Sequence, residues 1–191
     1  MDLNTIFFIG PQGSGKGTQA KILAQKLGFY HWDMGGILRE TGQQGSELGN
    51  TVKNLIEQGV LLEDDLLLKV VATKLETIAP TMGVVFDGIP RRLGQAEFIL
   101  KFLQSQGRTN FTTVFLDIPK EESLNRLLLR AEKEHRADDT KEKIEFRLEQ
   151  YYQDTLPVIE FLKQHSSFHQ IDGCSDITTV SAAISQALGL S

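Results

Sequence analysis

Gly10–Thr18 reads GPQGSGKGT, and its reading decides the fold. It contains the spacing G-x-x-x-x-G-K. Directly before it, Thr5–Ile9 (TIFFI) is a continuous apolar run of the kind that forms a strand buried on both faces of a parallel sheet. Directly after it, Ala20, Leu23, Ala24 and Leu27 recur at helical spacing, and Gly28 stands where a C-terminal cap belongs. A Gly-rich turn between a strand and a helix is the context that marks a phosphate-binding loop. Glycines let backbone N–H groups turn inward around phosphate oxygens, the helix N-terminus adds positive potential, and Lys16 adds a full charge. One departure is visible: Gly17 occupies the usual Ser/Thr position, and Thr18 follows one place later. The hydroxyl that normally reaches a divalent cation is displaced, so metal ligation must lean on other groups.

The 191 residues suffice for one domain with a sizeable core. A net charge of −5 argues against a general polyanion binder, so any phosphate recognition must be local, built from a few converging cations. No nucleic-acid partner is expected. No apolar run is long enough to span a bilayer and the N-terminus reads as no signal peptide, so we expect no membrane association and a cytoplasmic location. The single cysteine, Cys174, leaves no internal disulfide, and the four histidines are scattered.

Further strands are expected at Gly83–Asp87 (GVVFD), Thr112–Asp117 (TTVFLD) and Phe168–Asp172 (FHQID). Helical patterns fill the intervals: Leu48–Ile56, Leu66–Leu75, Ala96–Leu103, Leu124–Ala131 and Val180–Leu188. A longer one, Ile144–Leu162, should kink or break at Pro157. Strands alternating with helices imply an α/β fold with a mostly parallel sheet. His31–Glu40 (HWDMGGILRE) reads locally as a turn between two elements.

Four segments, in order, resemble the adenylate kinase family of nucleoside monophosphate kinases. GPQGSGKGTQA resembles its G-x-P-G-x-G-K-G-T-Q loop, with Gln12 a departure at the third position. Gly45–Val71 is similar to its monophosphate-side helices. FDGIPRRLGQAE (Phe86–Glu97) is similar to D-G-F-P-R-T-x-x-Q-A, and His135–Ile159 to its G-R-x-D-D … R-L-x-x-Y … P-V-I stretch. The resemblance implies a P-loop NTPase fold, a three-layer α/β/α sandwich around a five-stranded parallel sheet. It implies a core of residues 1–32, 62–130 and 140–191, a monophosphate-binding segment 33–61 and a short lid 131–139. Only five residues separate Arg130 from Arg136, which matches the family's short-lid form. One cysteine cannot build a four-ligand zinc site, so no structural zinc is expected.

The implied reaction is reversible, Mg²⁺-dependent phosphoryl transfer from ATP to a nucleoside monophosphate by a monomer. Such transfer needs in-line positioning, converging positive charge and exclusion of water. The resemblance assigns ATP to Gly13, Ser14, Gly15, Lys16, Gly17, Thr18 and Arg130. It assigns the monophosphate to Met34, Gly35, Arg39, Leu62, Gly88, Arg91, Gln95, Arg136 and Arg147. Lys16, Arg91, Arg130, Arg136 and Arg147 are the catalytic cations, and Asp87 would orient Mg²⁺ through water. Arg126, at i−4 from Arg130, is expected at the surface. Asp138 and Asp139 either start the helix before Lys141 or steady the arginines. The segments near 35–60 and 130–139 are expected to move to keep water out.

The base is harder to read. Where the family has S-T-G-D-x-L-R, this chain has Asp33-Met34-Gly35-Gly36-Ile37-Leu38-Arg39. Met34 removes a hydroxyl that could bond a base nitrogen, and Gly36 removes an acid. Gln95 matches the family's adenine-reading glutamine, whose amide presents donor and acceptor side by side. Arg92 stands where pyrimidine-selective relatives have Asn. Gln95 favours AMP, with a UMP/CMP or broad-specificity kinase as the alternative. A nucleotide sensor without turnover would be expected to lack Lys16 or the arginines. A GTPase switch would want Ser/Thr at 17 and an Asn-Lys-x-Asp signature, and the chain has neither.

Overall fold

The structure, a computed structural model, describes residues 4–43, 45–58, 63–134 and 140–190. Five strands form one parallel sheet: β1 (Thr5–Ile9), β2 (Tyr30–Asp33), β3 (Val84–Asp87), β4 (Phe111–Asp117) and β5 (Ser167–Asp172). Their order is β2-β3-β1-β4-β5. The helices among the described residues are α1 (Lys16–Leu27), α2 (Met34–Gln43), α3 (Glu47–Gln58), α4 (Asp64–Glu76), α5 (Leu93–Ser105), α6 (Lys120–Glu134), α7 (Lys141–Gln150), α8 (Leu156–His165) and α9 (Ile177–Ala187). A π-helical turn (Tyr151–Thr155) joins α7 to α8.

The central strand shows why the fold has three layers. Ile6 and Phe8 of β1 pack with Ala20, Leu23 and Ala24 of α1 and Val180 and Ile184 of α9. The alternate residues, Phe7 and Ile9, join a second core with Val71 of α4, Ile99 of α5 and Leu162 of α8. A strand with large apolar residues on both faces must be covered on both faces, which is what the unbroken run TIFFI demands. All four of these β1 side chains are buried. Successive parallel strands joined through helices leave the carboxyl ends of β1, β2 and β3 side by side, the usual ligand crevice of such a sheet. Among the described residues no helix is long and apolar enough to cross a membrane.

The decapeptide His31–Glu40 is not a turn. Tyr30–Asp33 forms edge strand β2, paired with β3, and α2 follows at once. Only Trp32 of the four β2 residues is fully buried, its ring 5.3 Å from that of Phe86. The alternation was too short to see, and Gly35 and Gly36 each weaken a helix by about 1 kcal/mol relative to Ala. Packing overrides that cost, because α2 lies against α3, with Met34, Thr41 and Val52 buried. The expected Ile144–Leu162 helix is interrupted by the π-helical turn, after which Pro157 falls in the first turn of α8. There its missing N–H costs no hydrogen bond. At the other end, Thr140 caps α7 by accepting from the Lys143 N–H.

Candidate active site

The phosphate-binding loop is held by close backbone contacts. A Cβ on Gly10 would lie 2.3 Å from the Leu116 carbonyl oxygen, so only glycine fits between β1 and β4 at this point. Gly15, in the left-handed conformation with φ 90°, caps α1 and turns the chain into it. Lys16 folds back along the loop: its Nζ donates to the Pro11 carbonyl at 2.6 Å and lies 3.4 Å from the Ser14 hydroxyl. Burial pulls the Lys16 pKa down from 10.5 to about 8, with Asp87 opposing and Arg91 and Arg130 reinforcing the shift. Ser14 is itself buried and supports the lysine from behind, whereas Gly13, Gly15, Lys16, Gly17 and Thr18 line the cleft.

Asp87 ends β3 beside this lysine. Burial raises its carboxyl pKa, the Lys16 charge opposes that rise, and neighbouring Asp33 adds to it. A Cβ on Gly17 would come 3.1 Å from Asp87 Oδ2. A side chain at position 17 would therefore press on the Asp87 carboxylate, which would have to shift by a few tenths of an ångström. Gln12, another departure, bridges two elements. Its Nε2 donates to the Arg147 carbonyl of α7 at 3.3 Å, and its own carbonyl accepts from the Ser123 hydroxyl of α6.

Across the cleft, Arg91 is fixed at three points. Its Nε donates to the Gly88 carbonyl at 2.9 Å, its N–H to Gln95 Oε1 at 2.9 Å, and its carbonyl accepts from the Thr155 hydroxyl at 3.0 Å. Burial lowers the guanidinium pKa, and Asp87 opposes the shift. Gln95 is buried, and its Nε2 donates to Asp64 Oδ1 at 2.8 Å. A primary amide has two N–H groups and two acceptor sites, so one of each remains beyond these bonds. Arg92, unexplained by sequence, lies 3.9 Å from Asp64 and 3.5 Å from Asp154. It therefore steadies the acid that orients Gln95. Met34 is buried, with its sulfur 3.4 Å from the Trp32 indole Nε1, which donates to it. Arg39, half exposed, lies 3.7 Å from the Asp33 carboxylate.

These groups share one cleft of about 680 Å³. Of the residues singled out in the sequence, Met34, Gly35, Arg39, Asp87, Gly88, Arg91, Gln95, Arg130 and Arg147 all line it. Leu62, Arg136, Asp138 and Asp139 lie outside the described residues. Arg126 corrects an expectation. Its side chain is not a solvated surface group but lines the cleft, held by Glu122 and by the Gly173 and Cys174 carbonyls at 2.9 Å each. Its i, i+4 spacing to Arg130 was visible, but nothing local showed that the loop after β5 would reach it. Lys16, Lys21, Arg39, Arg91, Arg126, Arg130 and Arg147 thus face Asp33 and Asp87 across the space. A chain of net charge −5 concentrates its cations where phosphates belong.

A phosphate-binding loop at the carboxyl edge of a parallel sheet, facing a set of arginines across one cleft, is the arrangement of a P-loop phosphotransferase. The sequence profile of the family described as adenylate kinase matches residues 8–167. The chain is 38% identical over 186 residues to the adenylate kinase of Phocaeicola vulgatus, covering 97% of this chain and 98% of that protein. It is 39% identical over 185 residues to that of Thermus thermophilus, covering 97% of each. The chain belongs to the adenylate kinase family and is a nucleoside monophosphate kinase.

Proposed function

We infer how the cleft residues divide the work of the reaction that the family defines, transfer of a phosphoryl group from ATP to AMP to give two ADP. The observation that carries the assignment is the convergence on one cleft of cations from α1, α2, the β3–α5 turn, α6 and α7. Lys16 leaves the Pro11 carbonyl and takes the β and γ phosphates against the loop N–H groups. Arg39 and Arg91 hold the AMP phosphate. Arg91 is the more rigid of the two, because three bonds already fix its backbone and guanidinium. Arg130, Arg147 and Arg136 gather round the transferring group, where charge spreads in the transition state. The free amide N–H and lone pair of Gln95 read the adenine edge, and Met34 packs below it.

Residues 33–61 act as the monophosphate-binding segment and residues 131–139 as a short lid over the rest of the chain. Movement of both excludes water. Among the described residues no three His, Cys, Asp or Glu gather as a metal site. Asp87, the carboxylate that lines the cleft beside Lys16, would hold Mg²⁺ arriving on the ATP phosphates by accepting from its waters. Bound there, the ion neutralises phosphate charge. Asp87, kept near Lys16, maintains that orientation.

A coupled assay with ATP and each of AMP, CMP, UMP and GMP tests the reading. AMP should be the best acceptor, and equal rates with UMP would overturn the role of Gln95. Arg91→Ala should lower kcat/KM for AMP by about 10²–10³-fold while the fold is retained.

A further inference from the structure

The Asp33 carboxylate fills the space in front of Gly36. A Cβ built on Gly36 would lie 2.4 Å from Asp33 Oδ2 and 3.1 Å from Asp33 Cγ. No other residue type could stand at 36 without displacing that carboxylate. The chain carries an acid at 33 and no side chain at 36.

Asp33 stands at a demanding place. It is the last residue of β2, in register with Asp87 on β3, and it immediately precedes α2. Its carboxylate therefore lies over the first turn of α2, where negative charge favours a helix. The same carboxylate lies 3.7 Å from the Arg39 guanidinium. Arg39 NH1 in turn would sit 3.2 Å from a Cβ on Gly35, so the arginine folds back along the helix toward Asp33. Asp33, Gly35 and Arg39 all line the cleft.

We propose that Asp33 and Gly36 form one unit, in which Gly36 leaves room for the Asp33 carboxylate and Asp33 is the positioning residue that keeps Arg39 turned into the monophosphate side of the cleft. The acid is supplied from the end of a strand rather than from within the helix. Its anchor is then the sheet, at the level of Asp87. This inference rests on Arg39 binding the monophosphate.

The test is a double-mutant cycle of Asp33→Ser, Gly36→Asp and the pair together, with Arg39→Ala as the control for the underlying assignment. KM values for AMP and ATP are measured separately from kcat. Equilibrium AMP binding is followed by fluorescence of Trp32, the only tryptophan, which adjoins Asp33. Serine keeps a short polar side chain ahead of α2, so Asp33→Ser chiefly removes the charge. It should raise KM for AMP about three- to fivefold and leave kcat and KM for ATP within about twofold, in keeping with a half-exposed pair. Gly36→Asp alone forces two carboxylates together and should raise KM for AMP about tenfold or more. The pair should return it to within about twofold of the parent, a strongly non-additive result. Multiplying losses in the pair, or unchanged AMP binding in Asp33→Ser, would overturn the proposal while leaving Arg39 in its role. An Arg39→Ala variant with unaltered KM for AMP would overturn that role and the proposal with it.

Discussion

On the side of the phosphate-binding loop, backbone carries the geometry. Gly10 passes beneath Leu116, Gly15 turns the chain into α1, and Lys16 folds back along the loop. On the side of β2, α2 and α5, side chains hold side chains: Asp64 holds Gln95, Arg92 holds Asp64, Trp32 holds Met34 and Asp33 holds Arg39. The first construction tolerates little, since a Cβ in the wrong place meets a carbonyl. The second depends on pairs of side chains, so one member can change where its partner changes with it. Asp33, Met34 and Gly36 all belong to that second construction.

The contrast can be broken first at Lys16. Lys16→Met should lower kcat/KM for ATP by about 10²–10³-fold or more. The free protein should at the same time melt higher, because a buried charge is removed. A pH profile sharpens the point. Burial holds the folded pKa at about 8, against 10.5 for an ordinary lysine. In the free enzyme kcat/KM for ATP should be flat below pH 8 and fall above it, since the neutral amine loses its hold on phosphate. Between about 8 and 10.5 the unfolded chain binds the extra proton, so the free protein should gain stability as pH rises. Chemical denaturation across that range checks the sign, and Lys16→Met should abolish the trend.

A middle-sized effect belongs to Met34. Met34→Thr restores the family's hydroxyl but empties buried volume and removes the acceptor facing Trp32 Nε1. We expect about 2 kcal/mol of lost stability, measured by denaturant unfolding, with kcat changed only a few-fold. The smallest belongs to Arg92. Arg92→Ala should cost about 0.5–1 kcal/mol, as partly exposed ion pairs do. Its more informative readout is the AMP-to-UMP rate ratio, which should fall as Asp64 loosens its grip on Gln95.

The parts legible in the sequence are those whose local pattern is also their tertiary role. β1, β3 and β4 are buried on both faces and so carry the apolar runs IFFI, VVF and VFL, and the loop between β1 and α1 carries its own glycine spacing. β2 was hidden because an edge strand with one fully buried residue leaves no alternation to detect. α2 was hidden because its stability comes from α3, not from a segment containing two glycines. Arg126 was misjudged because its carbonyl partners, Gly173 and Cys174, lie far along the chain. The readings of Arg92 and Gln12 likewise waited for Asp154 and Arg147 to be brought beside them.

The π-helical turn between α7 and α8 has a consequence for how the chain can change length. A π turn accommodates one residue more than an α turn, and such insertions gather at functional sites. Tyr151 and Thr155 both line the cleft from it, and Thr155 bonds the Arg91 carbonyl. Removing one residue there would let α7 and α8 run on as a single regular helix, a gain in local regularity. It would also rotate everything N-terminal to the turn by about 100° relative to α8. Arg147 and the Gln12 contact would swing away from the phosphates. The irregular turn is thus a phase setting: it determines which side of α7 faces the chemistry, and the chain can lose it only by losing that alignment.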